Sequence, residues 1–183
     1  MKIGFAAKQL EVDTWMSPPN PFGYRGNDKV FEKIEEEIGE TKEALELHLT
    51  SHTPADFEEL QKEIWDILFA VICLANNADK KPRISLDECL DLSSYENVLA
   101  YWGYYHMVTA MIKSKDKAQK TLATYIESSN ADDLTTLKIG IWHLLSTIIW
   151  LTEKLGISID GCFDLMMEKN ENRAKNGYKK EAK

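Results

Sequence analysis

Four acids stand in two pairs of equal spacing, Glu37 with Glu40 and Glu63 with Asp66. Successive residues of an α-helix turn by about 100°, so residues three apart share a face. In the segment around the first pair, Phe31, Ile34, Ile38, Leu45 and Leu49 form an apolar stripe. Glu37 and Glu40 fall on one flank of that stripe with Ala44 beside them, while Glu36, Glu43 and Glu46 turn toward water. Around the second pair the stripe is Leu60, Ile64, Ile67, Val71 and Leu74. Glu63 and Asp66 flank it in the same sense, beside Ala70. If the two helices pack antiparallel, all four carboxylates meet at the edge of the core. Carboxylates that close repel one another unless cations bind. Hard oxygen ligands suit Mg²⁺, with Mn²⁺ able to substitute, over softer metals. A single Glu-x-x-Glu is common on a solvated helix face and means little, whereas two pairs in matching phase are more specific. A ferritin-like di-iron bundle would require Glu-x-x-His pairs. None of His48, His52, His106 or His143 has a Glu three residues before it.

The elements that must carry these acids are helices. Pro18, Pro19, Pro21, Pro54 and Pro82 mark loops, and between them apolar residues recur at helical spacing with no strand alternation. The pattern predicts an all-α bundle. It places a short helix at about 3–15, a Pro/Gly-rich loop at 16–27, and a second helix from about Asp28 to Leu49. Thr53 caps a third helix that begins at Pro54 and reaches Asn77. Ser85 opens a short helix. Further helices are expected from Ser94 to about Lys113, over 115–128, from Ala131 to Leu155, and from Ser158 to about Lys175. Asn176-Gly177 is a stop signal.

A chain of 183 residues with 44% hydrophobic and 28% charged residues suits one soluble globular domain. Its net charge of −8 argues against nucleic acid and anionic membrane as partners. The N-terminus lacks a charged-then-apolar leader. The most apolar stretch, Ile139 to Leu151, is short for a bilayer span, so a cytoplasmic protein is expected. Cys73, Cys89 and Cys162 lie far apart without CxxC spacing, which points to buried apolar residues rather than zinc or a disulfide framework.

The chain also repeats itself. EIWDILFAVICLA at 63–75 returns as GIWHLLSTIIWLT at 140–152, and ISLDECLDL at 84–92 returns as ISIDGCFDL at 157–165, six of nine residues being identical. A duplicated helical unit related by a pseudo-twofold axis is expected, its first copy at about 28–92 and its second at about 94–178. Gly140 and His143 replace Glu63 and Asp66 in the second copy, so one metal site is expected per pair of copies.

The sequence IEEEIGETKEAL, 22 further residues between Glu40 and Glu63, then EIWDILFAVICLAN, resembles the all-α nucleoside triphosphate pyrophosphohydrolases, the superfamily of MazG and the dimeric dUTPases. The stretch EKNENRAKNGYKK is similar to the C-terminal segment of the dUTPase branch through Lys169, Asn170, Asn172, Arg173, Gly177 and Tyr178. The resemblance implies Mg²⁺-dependent hydrolysis of a nucleoside triphosphate, with a deoxynucleotide such as dUTP or dCTP as the favoured substrate, to monophosphate and pyrophosphate. It implies Glu37, Glu40, Glu63 and Asp66 as metal ligands, with Glu40 also orienting the attacking water as a base. It further implies Lys169 and Arg173 as phosphate-holding residues, with Asn170 and Tyr178 on the same wall, and base recognition near Gln9, Trp15 and the 16–27 loop. A phosphoribosyl-ATP pyrophosphatase and a non-catalytic helical interaction module are the alternatives. Trp65, Phe69 and Ile72 lie opposite the main stripe of the third helix, and a helix apolar on every side must be covered on every side. Either the second copy or another subunit covers that face, and a homodimer is expected.

Overall fold

The computed structural model describes residues 4–16, 26–77, 84–91 and 103–176; the side chains of residues 15, 16, 91, 170, 171 and 173–176 are outside that description. The described residues form seven helices and no strand: α1 Ala6–Met16, α2 Asn27–Ser51, α3 Pro54–Asn77, α4 Leu86–Asp91, α5 Tyr104–Ser128, α6 Ala131–Leu155 and α7 Ile159–Asn176.

Two long hairpins, α2/α3 and α5/α6, are the frame. Each turns through a left-handed residue, His52 with φ 54° and Ser129 with φ 50°. The amide of His52 returns to the carbonyl of His48, and the amide of Ser129 to that of Tyr125. Ser51 bonds to Asp56 in the first turn and Ser128 to Asp133 in the second. Thr53 accepts from the Asp56 amide, and Asn130 from the Asp132 amide, so each second helix has a side-chain N-cap. Pro54 opens α3, where its missing N–H costs nothing.

The shorter helices cross between hairpins. α4 packs on α6, and α7 packs on α3. α1 also lies on α3, and α2 meets α5. The α3 stripe of Leu60, Ile64, Ile67, Val71 and Leu74 is completely buried. The reverse face is buried as well, with Trp65, Phe69 and Ile72 inside. Trp65 stacks edge-on against Phe163 of α7 at 5.0 Å. Coverage of that face comes from within the chain, so it does not require another subunit. α6 is apolar enough by length and composition to cross a membrane, but 61% of its most apolar window is buried inside the protein.

One boundary differs from expectation. The sequence suggested separate helices over 94–113 and 115–128, whereas α5 runs unbroken from Tyr104 to Ser128. Residues 92–102 lie outside the described set. The polar run Ser114-Lys115-Asp116-Lys117 contains no Gly or Pro and does not break a helix. Lys115 is instead buried where α5 meets α2, with Nζ 2.9 Å from Glu35 and 2.8 Å from Asp116.

Candidate metal centre

The two acid pairs occupy one hairpin because α2 and α3 bury matching stripes. Glu37 is drawn into the core, only 2% exposed, while Glu63 and Asp66 are half-buried. Glu37, Glu63 and Asp66 each bring a carboxylate oxygen within 4.8 Å of the others'. Glu40 lies half-buried one turn along α2, outside this tight trio. Its charge nevertheless raises the proton affinity of both Glu37 and Glu63.

The electrostatics are those of a site short of positive charge. Burial pushes Glu37 up to about 7, with Lys33 opposing and Asp66 and Glu40 adding to the rise. Burial likewise pushes Glu63 up to about 7, reinforced by Asp66, Glu40 and Glu59 and opposed by Lys169. Among the described residues, two ammonium groups touch the cluster. Lys33, one turn earlier on α2, places Nζ 2.5 Å from Glu37 Oε1. Lys169 reaches across from α7 to Asp66 Oδ2 at 3.2 Å. The second Glu37 oxygen, Oε2, is buried with no hydrogen-bond partner. An orphaned carboxylate oxygen in the interior costs free energy unless something positive meets it. Three carboxylates brought this close together suit a hard divalent cation.

Not every residue expected at the site is there. Lys169 is. Asn170 and Arg173 belong to α7, but their side chains lie outside the described residues, as do Tyr178, the Trp15 side chain and the 17–25 part of the N-terminal loop. Gln9, expected against the substrate, is buried and hydrogen-bonded within the protein. Its Nε2 donates to Asn76 Oδ1 at 3.2 Å and to the Ile84 carbonyl at 2.9 Å, and its Oε1 accepts from the Leu86 amide at 2.9 Å. Asn76 returns a bond to the Gln9 carbonyl at 3.0 Å. The clamp fastens α1 to the far end of α3, roughly 15 Å along the helix from Asp66 at 1.5 Å per residue. Lys33 was missed by the sequence reading. A Lys four residues before a Glu resembles ordinary helix-surface pairing, and only the burial of Glu37 distinguishes it.

Among the described residues, the second hairpin has no such cluster. At the position corresponding to Glu63, Gly140 lies so close to α5 that an added Cβ would be 3.2 Å from Ala118 Cα. His143, corresponding to Asp66, is held below its usual range by burial and then by Lys117, and it stacks on Trp142 at 4.5 Å.

The described helices form an all-α bundle with a carboxylate trio astride one helix hairpin, a group that could hold a metal ion. Residues 25–94 match the family model described as the MazG nucleotide pyrophosphohydrolase domain, which takes in α2, α3 and α4. The match is consistent with the all-α nucleoside triphosphate pyrophosphohydrolase superfamily and supports nucleotide pyrophosphohydrolase activity in general. No curated protein and no solved structure matches the chain.

Proposed function

We propose that this protein hydrolyses a nucleoside triphosphate to the monophosphate and pyrophosphate, using Mg²⁺ or Mn²⁺ held by Glu37, Glu63 and Asp66 with Glu40 at the rim. The observation that carries the reading is the trio itself, including the orphaned Glu37 Oε2, within the segment that matches a pyrophosphohydrolase domain. The cation would neutralise the triphosphate, lower the pKa of an attacking water and stabilise the leaving oxygen. Glu40 is proposed to accept a proton from the water that attacks the α-phosphorus. Lys169 presents its ammonium beside Asp66, where a phosphate oxygen would meet it, and Arg173 is proposed to join it through its fork of donors. A deoxynucleotide such as dUTP or dCTP is the substrate we favour. The chain is proposed to be a duplicated unit whose second half lost its ligands and supplies the helix that carries Lys169 and Arg173. One site then serves each pair of halves.

The test is a panel of the common nucleoside and deoxynucleoside triphosphates with Mg²⁺, with products identified. Monophosphate plus pyrophosphate is the expected outcome. Diphosphate plus phosphate, or no turnover of any member, would reject the proposal. Phosphoribosyl-ATP belongs in the panel, since its selective cleavage would transfer the same site to the alternative enzyme.

A further inference from the structure

Among the described residues, Lys33 and Lys169 touch the carboxylate cluster, and they do so differently. Lys33 and Glu37 are carried by the same rigid helix, and their contact is short at 2.5 Å. Lys33 binds Oε1, leaving the buried Oε2 as the unpartnered atom. Lys169 comes from a different helix, makes a longer contact of 3.2 Å, and its side chain is 36% exposed. It occupies Asp66 Oδ2, on one of the three carboxylates that approach each other within 4.8 Å.

We infer that Lys33 is a positioning residue that turns Glu37 Oε2 toward the cation, whereas Lys169 is an exchangeable counter-ion that the cation must displace from Asp66. The inference rests on the reading of the trio as a metal centre and adds the roles of its two ammonium groups. A divalent cation and an ammonium sharing one carboxylate repel strongly at such distances. The group with water beside it and no helix in common with its partner is the one that yields. Once released, the Lys169 ammonium stays on the α7 wall, available to a phosphate oxygen. Metal arrival and substrate capture are thereby linked: the event that fills the acidic trio also frees the cation that greets the anion. Lys33 cannot be exchanged in the same way, because Glu37 is buried and would lose its only ion-pair partner among the described residues. Outer partners of this kind hold a ligand's orientation and typically contribute 10- to 100-fold in metal affinity.

The two roles have opposite signs, which titration calorimetry with Mn²⁺ alone can read on the full chain. Lys33→Met should weaken Mn²⁺ binding by roughly 10- to 100-fold, and Lys33→Arg should restore most of it. Lys169→Met should bind Mn²⁺ more tightly than the parent, since its competitor is gone. Unchanged binding in Lys33→Met, or weaker binding in Lys169→Met, overturns the inference. If Lys33→Met does not fold by circular dichroism, the sign of the Lys169→Met change decides alone. A parent protein that binds no Mn²⁺ removes the metal centre itself. A parent that binds Mn²⁺ with these shifts yet hydrolyses no triphosphate leaves the inference standing and removes the proposed reaction.

Discussion

At the scale of single residues, the carboxylates behave as a group. Glu37 and Glu63 are held near 7 in place of their ordinary 4.5, first by burial and then by their acidic neighbours. Between those values the folded metal-free protein keeps protons that the unfolded chain has released. Their contribution to stability is therefore complete below about 4.5 and lost as pH rises through about 7. Thermal melts in a chelator should show the melting temperature falling across that interval. Cation binding has the opposite slope, because the ligands must be deprotonated. The Mn²⁺-induced rise in melting temperature should be larger at pH 8 than at pH 6, as paired scans would reveal. Glu40→Gln and Asp66→Asn should each abolish pyrophosphate release with the helical circular dichroism spectrum retained. Full activity in either variant would reject the site assignment.

At the scale of elements, the hairpins depend on their turns and on unbroken helices. Ser129 adopts the left-handed conformation at the end of α5, a region that L-residues other than Gly and Asn enter at a cost. Ser129→Gly should raise stability by up to about 1 kcal/mol in a denaturant titration, with the site unaffected. α5 passes straight through Ser114, so Ser114→Pro should cost about 3 kcal/mol or more by the same measurement. Had two helices met there, proline would have been tolerated. This boundary was not legible in the sequence because Ser, Lys and Asp are compatible with either a loop or a solvated helix turn. The buried Lys115 and its ion pairs belong to the packing of α5 on α2, which no local pattern shows.

At the scale of the molecule, neither hairpin is complete alone. The reverse face of α3 is covered by α1 and α7, and α6 also meets α3. A fragment ending at residue 91 would lose α7 and with it the Phe163 ring that packs against Trp65, a residue buried in the full chain. Such a fragment should self-associate or fail to fold, while the full chain keeps the same α3 face covered by its own helices; light scattering on both would distinguish these outcomes. The crossing of α4 onto α6 and α7 onto α3 is what carries Lys169 to Asp66, from a helix more than a hundred positions away in the chain.

The sequence by itself determined the helical class and the two flanking acid pairs. It also determined the caps at Thr53 and Ser158, where Ser158 accepts from the Gly161 amide at 3.2 Å. These follow from local rules: helical phase puts Glu37 beside the buried stripe, and capping is a contact between neighbours. The repeat of 63–75 in 140–152 was likewise visible as strings of letters. Tertiary structure alone decided how deep each acid lies. Burial depends on which helices cover a face, and α7 and α1 arrive from opposite ends of the chain. That depth sets Glu37 apart from the half-buried Glu40, Glu63 and Asp66, and the approach of the two helices brings Glu37, Glu63 and Asp66 within 4.8 Å of one another. The burial of Glu37 also makes Lys33 part of the site, while the packing of α1 on α3 gives Gln9 its hydrogen bonds to Asn76, Ile84 and Leu86.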